Sequence, residues 1–348
     1  MDNNIVLQLT PTYETHPPKI IVDVNGHIIF NGELTHADSF NQLIPKGHSL
    51  KLKIKRSGRN KEIITTDTKN GFIISELSIN GIQINPDIGY FQCIDNDYLG
   101  MHTIHGKHFT LNGEYFLEIP YYTLRGEITR NRDRFNITGQ HHEYCFFGAS
   151  MTDYDFTKGK PPIYNKKNYA DLFIQRMGGK NLASSGQTNQ EIFETVYAFL
   201  KNNKVEVCLV QLICVIVRQV KDADTKEIYR WSAHMDNSLD HTDEFTQTKL
   251  KAIQQHFVYL TESPILALQI PEYKDLIEYA EDRGSKIFFT SYFHDEYKTL
   301  QKVIPNNMSP YFYIDPNTKY CKDNGYHATP EEQENYFQSL VDFIRKIK

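Results

Sequence analysis

A serine that could act as a nucleophile follows a short apolar segment near the middle of the chain. Ser150 comes directly after Gly148 and Ala149, which follow the predicted strand 143–147. Small residues let the chain turn sharply and expose a hydroxyl at the end of a strand, as nucleophilic attack requires. Serine in such a turn also commonly caps a helix, and this alternative stays open.

A second loop could bind the negative charge that develops when a nucleophile attacks a carbonyl. Thr188 and Glu191 form a capping box, which predicts that a helix begins just after Gly186 and Gln187. The free N–H groups at a helix N-terminus favour an anion, so Gly186 could contribute to an oxyanion hole. An ordinary capped loop between a strand and a helix remains the alternative.

A histidine near the end of the chain could serve as the general base. Thr329, Pro330 and Glu332 occupy the N-cap, N1 and N3 positions of a predicted last helix. His327 therefore lies in the loop before that helix, where its ring could reach solvent. Asp323 is close enough in sequence to hold the imidazole in the required tautomer.

The first third of the chain reads as strands joined by turns. The segment around Asn25-Gly26 has β-branched residues on both sides, and Asn-Gly is the strongest short signal for a hairpin turn. Further Asn-Gly pairs stand at 31–32, 70–71, 80–81 and 112–113. No helical periodicity is visible here. Residues 1–123 therefore predict an all-β sandwich, jelly-roll-like, of about eight strands.

The rest of the chain changes to an alternation of strands and helices. Residues 124–140 form a polar linker, and 141–348 predict a three-layer α/β/α domain with a parallel sheet. A helix is expected to begin at Pro271 and to end at Gly284. Ligands of such sheets bind beyond the C-terminal ends of the strands, where the three reactive loops should meet.

Together the three loops resemble the SGNH (GDSL-type) hydrolase family over residues 140–348. FFGASMT is similar to the family's Gly-Asp-Ser-Leu block, NLASSGQT to its second block, and NGYHATPEEQ to the block that carries the histidine. The resemblance implies that Ser150 is the nucleophile and His327 the base, oriented by Asp323. It makes the backbone N–H groups of Ser150 and Gly186 the oxyanion donors.

The sequence departs from the family pattern at three points. Ala149 replaces the aspartate of the first block, and the third block, which carries an asparagine donor, is missing after the strand 205–217. Gln211 is the nearest amide that could substitute for that donor, although it could equally be a core polar group. Asp323 stands one position earlier than the family pattern requires.

The whole architecture, a sandwich followed by a divergent SGNH-like domain, also resembles proteins encoded by bacteriophages and other viruses. In those proteins the sandwich resembles carbohydrate-binding modules. The aromatic and histidine side chains of the stretch 85–106 are the candidate sugar contacts: Tyr90, Tyr98, His102 and His105. Closure of a loop over the core explains the same aromatics equally well.

Composition excludes several other classes of function. The net charge of −5 offers no general phosphate-binding surface, and no apolar run reaches the ~20 residues of a membrane span. The five cysteines are odd in number and widely spaced, which favours free thiols. His234, Asp236 and His241 are too irregularly spaced to predict a metal site. Without a signal sequence, we expect synthesis in the cytoplasm, with a virus particle as a further location.

A row of basic residues alternates with apolar ones between residues 51 and 59. Lys51, Lys53, Lys55, Arg56 and Arg59 are most simply the solvated face of one strand.

These observations lead to two hypotheses. The first is a serine esterase without metal or organic cofactor, whose substrate is an acetylated polysaccharide and whose reaction is O-deacetylation. The second is an inactive SGNH-like protein that binds glycans or has a structural role in a virus particle, where a homo-oligomer could form. Nucleic acid and membrane insertion are not expected in either case.

Overall fold

The computed structural model of the 348-residue chain describes most of the sequence. The described residues are 1–67, 69–93, 100–102, 108–128, 138–149, 168–184, 186–213, 218–221, 228–231, 262–315, 317 and 328–348. They form two compact units. The first comprises Met1–Tyr122 and the described part of Gln255–Pro271, and the second comprises the described parts of Thr123–Gln254 and Glu272–Lys348. None of the described helices is long and apolar enough to cross a membrane.

The first unit contains two antiparallel sheets, as the sequence predicted. One sheet has the order β10-β6-β1-β4, with β7 paired to β6, and the other has the order β3-β2-β5-β11-β8-β9. The strands are β1 (Asn3–Thr12), β2 (Lys19–Val24), β3 (His27–Glu33), β4 (Asp38–Ile44), β5 (Leu50–Ser57), β6 (Gly71–Ile79), β7 (Ile82–Gln83), β8 (Tyr90–Cys93), β9 (Gly100–His102), β10 (His108–Phe109) and β11 (Gly113–Ile119).

Two expectations for this unit need correction. A short helix, α1 (Lys61–Thr66), forms after the cap Asn60, although no helical period was visible there. Arg56 does not belong to the solvated face of β5, because its side chain is 1% exposed. Its guanidinium donates to the side chain of Asn112 over 2.7 Å and to the carbonyl of Asn70 over 3.2 Å.

The second unit is built on a parallel sheet with the strand order β13-β12-β14-β17. Its strands are β12 (His141–Phe147), β13 (Lys180–Asn181), β14 (Lys204–Leu212) and β17 (Lys286–Ser291). Its helices are α2 (Tyr169–Met177), α3 (Asn189–Asn202), the second half of α4 (Glu262–Glu281), α5 (His294–Val303) and α6 (Pro330–Ile347). A separate hairpin joins β15 (Arg218–Lys221) to β16 (Ile228–Trp231).

Helices cover both faces of this sheet, which confirms the predicted three layers. Alternate residues of β12 point to opposite faces. Phe146 packs against Phe173 of α2 on one face, with ring centroids 5.2 Å apart, and Phe147 packs against Phe199 of α3 on the other, at 6.1 Å. The first face also receives α6, whose buried side chains join the same cluster: Tyr336, Phe337, Leu340, Val341 and Ile344.

One predicted helix boundary is wrong. Pro271 does not begin a helix but lies inside α4, which starts at Glu262. A proline inside a helix costs one backbone hydrogen bond, so sequence rules favour placing it at the first turn. The predicted end is confirmed, because Gly284 adopts a φ of +73° just beyond the helix and its N–H donates to the carbonyl of Glu281 over 2.8 Å.

Candidate functional site

The strand order identifies one edge of the parallel sheet as the place for a ligand. From β12 the chain passes to β13 on one side and then returns across β12 to β14 on the other. Ligands of doubly wound sheets bind at such a switch point, beyond the C-terminal ends of the two central strands. In this protein these ends are Phe147 of β12 and Leu212 of β14.

The chain that leads to Ser150 is fixed at this edge. Gly148 follows β12, and its carbonyl accepts a hydrogen bond from the N–H of Ser184 over 3.1 Å. Ala149 is buried, with 3% exposure. Ser150 itself lies outside the described residues, as do His327 and Asp323, so their predicted meeting stays a prediction. The residues directly before Ser150 and directly after His327 are described.

The loop between β13 and α3 has the features predicted for it. The capping box is present: the N–H of Glu191 donates to the Thr188 hydroxyl over 3.3 Å, and the N–H of Thr188 donates to the Glu191 carboxylate over 2.9 Å. Gly186 is exposed and has a φ of +76°, a conformation that favours glycine. Its role as an oxyanion donor stays a prediction.

The buried side chain of Gln187 cross-links this loop by hydrogen bonds. Its side chain is buried, its Oε1 accepts from the N–H of Ser184 over 3.2 Å, and its Nε2 donates to the Thr195 hydroxyl over 3.2 Å. The N–H of Ser184 therefore has two acceptors, Gln187 and the carbonyl of Gly148. The loop before α3 is thus joined to the residue two places before Ser150.

Asn189 is a residue that the sequence analysis missed. It is the first residue of α3, and both ends of its amide bind the backbone of Ile213, just beyond β14. Nδ2 donates to the Ile213 carbonyl and Oδ1 accepts from the Ile213 N–H, each over 2.8 Å. A polar side chain at the first position of a helix that faces a switch point was the signal that could have found it.

Gln211 does not lie in a loop, where the missing asparagine donor would be expected. It lies within β14, is fully buried, and pairs in register with Thr290 of β17. Its Nε2 donates to the carbonyl of Leu212. Its substitution for the missing asparagine stays a prediction, although at least one of its amide hydrogens is already engaged.

The helix that follows His327 begins as the sequence predicted. Thr329 caps α6, Pro330 is its first residue, and the N–H of Glu332 donates to the Thr329 hydroxyl over 3.1 Å. Oε2 of Glu332 accepts from the N–H of Thr329 over 2.6 Å, and Oε1 accepts from the N–H of Asp315 over 2.7 Å. Ala328, directly after His327, is fully buried. Ala328 and the start of α6, which directly follow His327, are therefore held in one position.

Tyr169 links this helix start to the end of β12. Its N–H donates to Oε1 of Gln333, in the first turns of α6, over 3.0 Å. Its ring lies 4.7 Å from that of Tyr336 and 6.1 Å from that of Phe146, measured between centroids. Tyr169 begins the helix that follows the segment containing Ser150. The described flanks of the serine and of the histidine are thus packed together.

The predicted carbohydrate contacts are described only in part. Tyr90 lies in β8 and His102 in β9, two strands that pair with each other, rather than in one long loop. Tyr98 and His105 lie outside the described residues. Their role in sugar binding stays a prediction.

Metal-binding side chains do not cluster in the described part of the chain, where no group of three or more histidine, cysteine or acidic residues could hold an ion. His234, Asp236 and His241 lie outside it. Two cysteines are paired in register on β12 and β14, Cys145 next to Cys208, and both are buried and free. Burial raises the pKa of Cys145 to about 12 and that of Cys208 well above its ordinary value.

The sequence matches no family model and no characterised protein sequence. Similar solved structures include an acetyl xylan esterase (Est2A) from the rumen bacterium Butyrivibrio proteoclasticus, which is 12% identical, covers 99% of this chain and 88% of that chain, and has a TM-score of 0.36. Another is a family two carbohydrate esterase from Clostridium thermocellum in complex with cellohexaose, at 10% identity, 99% and 90% coverage and a TM-score of 0.32.

A third structure matches a smaller part of the chain. It is vCBM60 in complex with galactobiose, 11% identical over 33% of this chain and 99% of that chain, with a TM-score of 0.24. These three structures are two carbohydrate esterases and a carbohydrate-binding module. All these TM-scores lie below 0.5, a range in which structural likeness does not transfer function.

Proposed function

We propose that the protein is a serine esterase that removes acyl groups, and in particular O-acetyl groups, from a carbohydrate. The observation that carries this proposal is the attachment of the loop 182–189 to the ends of both central strands. Ser184 binds Gly148 beside β12, and Asn189 binds Ile213 beyond β14. This loop contains the predicted oxyanion donor Gly186 and is tied to the residues before the predicted nucleophile.

The reaction would follow the serine hydrolase scheme. The hydroxyl oxygen of Ser150 attacks the ester carbonyl while His327 takes its proton, and Asp323 holds the imidazole. The N–H groups of Ser150 and Gly186 stabilise the oxyanion. The C–O bond to the sugar then breaks, His327 returns the proton to the departing hydroxyl, and water hydrolyses the acyl-enzyme by the same steps.

The second candidate function is that of a glycan-binding or structural protein without catalysis, as in virus particles. Two positions favour it. Ala149 stands where the related hydrolases have an acidic residue, and Gln211 lies inside a buried strand instead of in a loop that presents a donor. The loss of one oxyanion donor costs on the order of 10²–10³ in rate, which weakens catalysis without abolishing it.

Hydrolysis of p-nitrophenyl acetate and of acetylated xylan distinguishes the two functions. We expect Ser150→Ala and His327→Ala to lose activity by about 10³-fold or more, because either change removes the activated nucleophile. Ser339→Ala, on the exposed face of α6, is the matched control and should retain wild-type rates. Equal rates for wild type and Ser150→Ala would leave only the non-catalytic function.

A further inference from the structure

Four aromatic side chains form a surface at the same edge of the parallel sheet, away from the residues considered so far. We call this set the tyrosine platform: Tyr292, Phe293, Tyr311 and Tyr313. Tyr292 and Phe293 follow directly after β17, and their rings lie 4.3 Å apart between centroids. The rings of Tyr311 and Tyr313 lie 6.5 Å apart.

The backbone places both halves of the platform at the C-terminal edge. Met308 forms a parallel bridge with Phe289 of β17, and the N–H of Ser309 donates to the Phe289 carbonyl over 2.9 Å. The chain from Met308 therefore runs alongside β17 in the same direction, as a fifth position in the sheet. The hydroxyl of Tyr311 donates to the carbonyl of Tyr292 over 3.0 Å and joins the two halves.

The segment after Met308 presents Tyr313 outward because the side chains on either side of it are held in the core, whereas Tyr311 is half-buried. Phe312 is fully buried and stacks on Tyr336 at 4.4 Å, and Ile314 is 8% exposed. Tyr313, between them, is 62% exposed. This alternation with a period of two is that of an extended chain with one buried face. The exposed ring of Tyr313 is thus attached to a backbone whose neighbouring side chains are buried.

Buried groups beneath the platform fix it further. Tyr297 of α5 is 8% exposed, its hydroxyl donates to the Ser309 carbonyl over 2.8 Å, and its ring supports that of Tyr311 at 5.0 Å. An ordered set of aromatic rings loses little conformational freedom when a ligand binds, which favours affinity.

The composition of the platform indicates the chemistry of its ligand. Three of its four residues are tyrosines, which combine an apolar ring face with a hydroxyl. Such a surface suits a ligand that alternates C–H faces with hydroxyl groups, which is the chemistry of a sugar chain. None of the four side chains is cationic, so the platform itself offers no ion pair to an anionic ligand. Beside it on α5, Oδ1 of the exposed Asp295 lies 3.6 Å from Nδ1 of His294.

The position of the platform indicates which part of the substrate it contacts. Neighbouring strands lie ~4.8 Å apart, so β17 is ~10 Å from β12, and the chain at Met308 is ~14 Å from it. Ser150 follows β12. A sugar that carries its ester at the serine would therefore reach the platform only with residues further along its chain.

We propose that the tyrosine platform is a subsite that binds the uncharged sugar residues of a polysaccharide beyond the one that carries the ester. This inference rests on the proposed esterase function and adds the residues that select a polymer over a small ester.

The test is the variant Tyr313→Ala, compared with Tyr313→Phe and with Leu43→Ala, a control that is 60% exposed on the first unit. We expect Tyr313→Ala to raise KM for acetylated xylan by roughly five- to tenfold, since a ring contact contributes that much to binding. Its kcat, and its kcat/KM for p-nitrophenyl acetate, should stay at wild-type values. Tyr313→Phe should restore most of the affinity, and Leu43→Ala should change neither substrate's parameters.

Binding measured without catalysis separates failure of this proposal from failure of the proposed function. In the Ser150→Ala protein, titration calorimetry with xylan, mannan and cello-oligosaccharides should detect binding to at least one, weakened by the added Tyr313→Ala change. If the wild type hydrolyses no ester but this binding difference persists, the esterase function fails and the subsite stands. Equal binding and equal KM with and without Tyr313 would overturn the subsite, as would a wild-type dimer that Tyr313→Ala converts to monomer in sedimentation.

Discussion

Asn189 binds the chain just beyond the end of β14 with both polar atoms of its side-chain amide. Its 2.8 Å bonds to Ile213 satisfy one donor and one acceptor where the strand ends. The same residue begins α3. Its side chain therefore connects the end of the loop that contains Gly186 directly to the end of β14.

We expect Asn189→Ala to lower the free energy of unfolding by about 1–3 kcal/mol, because two partly buried backbone groups of Ile213 lose their partners. The rate of p-nitrophenyl acetate hydrolysis should fall by about tenfold or more as the loop shifts. Urea unfolding and initial rates measure the two effects. Asn335→Ala, exposed on α6, is the control and should lie within ~0.5 kcal/mol of wild type. Wild-type behaviour of Asn189→Ala would contradict the role assigned to the amide.

Arg56 shows why residue type alone misled the sequence analysis. The alternation of β5 places Arg56 on the same face as Leu50, Leu52 and Ile54, and all four are buried. Because Arg56 is charged, the sequence analysis had placed it on the solvated face of the strand, together with Lys51, Lys53 and Lys55. The asparagines that make burial tolerable come from the segments before β6 and β11, at positions 70 and 112. No local pattern of β5 reveals these partners.

We expect Arg56→Leu to destabilise the first unit by about 2–3 kcal/mol, because Asn70 and Asn112 lose a charged donor in a buried place. The same change at the neighbouring outward position, Lys55→Leu, should alter stability by less than ~0.5 kcal/mol. Chemical denaturation followed by far-UV circular dichroism measures both changes in stability. Equal effects of the two variants would show that the buried network contributes nothing.

At the scale of elements, the same dipeptide has different outcomes. Asn25-Gly26 and Asn80-Gly81 have positive φ at both residues, as a hairpin turn with two left-handed positions requires. Asn31-Gly32 instead lies inside β3, and Gly71 and Gly113 are the first residues of β6 and β11. The two turns form where paired strands adjoin them on both sides. Pairing partners, which are distant in sequence, decide the other cases.

The two helix starts marked by capping boxes were the most predictable elements, because their signals are local, whereas the start predicted at Pro271 was wrong. Both capping boxes that the sequence predicted are present, at Thr188 and at Thr329. The strand order could not be predicted, since it depends on contacts between segments many tens of residues apart. Ser150, His327 and Asp323 lie outside the described residues, so the prediction of their geometry is neither confirmed nor wrong.

We expect Thr329→Ala to destabilise the second unit by about 1 kcal/mol, because α6 loses the acceptor for the N–H of Glu332. Since His327 lies two residues before this cap, kcat for p-nitrophenyl acetate should also fall. Thr329→Ser keeps the hydroxyl and should restore both properties, as measured by thermal unfolding and initial rates. An unaltered kcat in Thr329→Ala would mean that the cap does not help to place the histidine.

The paired cysteines of β12 and β14 are expected to be unreactive in the folded protein. Burial raises the pKa of both thiols, to about 12 for Cys145, so that little thiolate exists at neutral pH. Alkylation with iodoacetamide at pH 8, followed by peptide mass spectrometry, should modify Cys145 and Cys208 only after denaturant is added. Rapid modification of either thiol under native conditions would contradict their burial in the sheet.

At the scale of the whole molecule, a buried carboxylate contributes to the response to acid. Asp67 is fully buried, and its Oδ2 accepts from the N–H groups of Glu14, Thr15 and His16 over 2.9–3.2 Å. Burial alone would raise the pKa of Asp67, but these three bonds and the charge of His16 together outweigh it and hold the pKa below 3.8. The ionised form is therefore favoured in the folded state.

It follows that Asp67 stabilises the fold above pH 3.8, and that this stability is lost as the pH falls through 3.8 towards the lowered value. Urea unfolding between pH 6 and pH 2.5 should show a steep acid limb for the wild type. Asp67→Asn should be less stable at pH 6 and have a flatter limb. Asp2→Asn, an exposed control, should follow the wild type. An unchanged slope in Asp67→Asn would exclude Asp67 as the source of the acid response.

The packing of α6 against Tyr169 and Phe146 also has a consequence for synthesis of the chain. The side chains that close this part of the core come from residues 336–344, whereas the strand they cover is made almost 200 residues earlier. A nascent chain must therefore carry an open apolar face from the synthesis of β12 until α6 emerges. Chaperones bind exposed apolar surfaces of this kind, and proteases attack them. The expression yield should therefore depend strongly on the chaperones and proteases of the host cell.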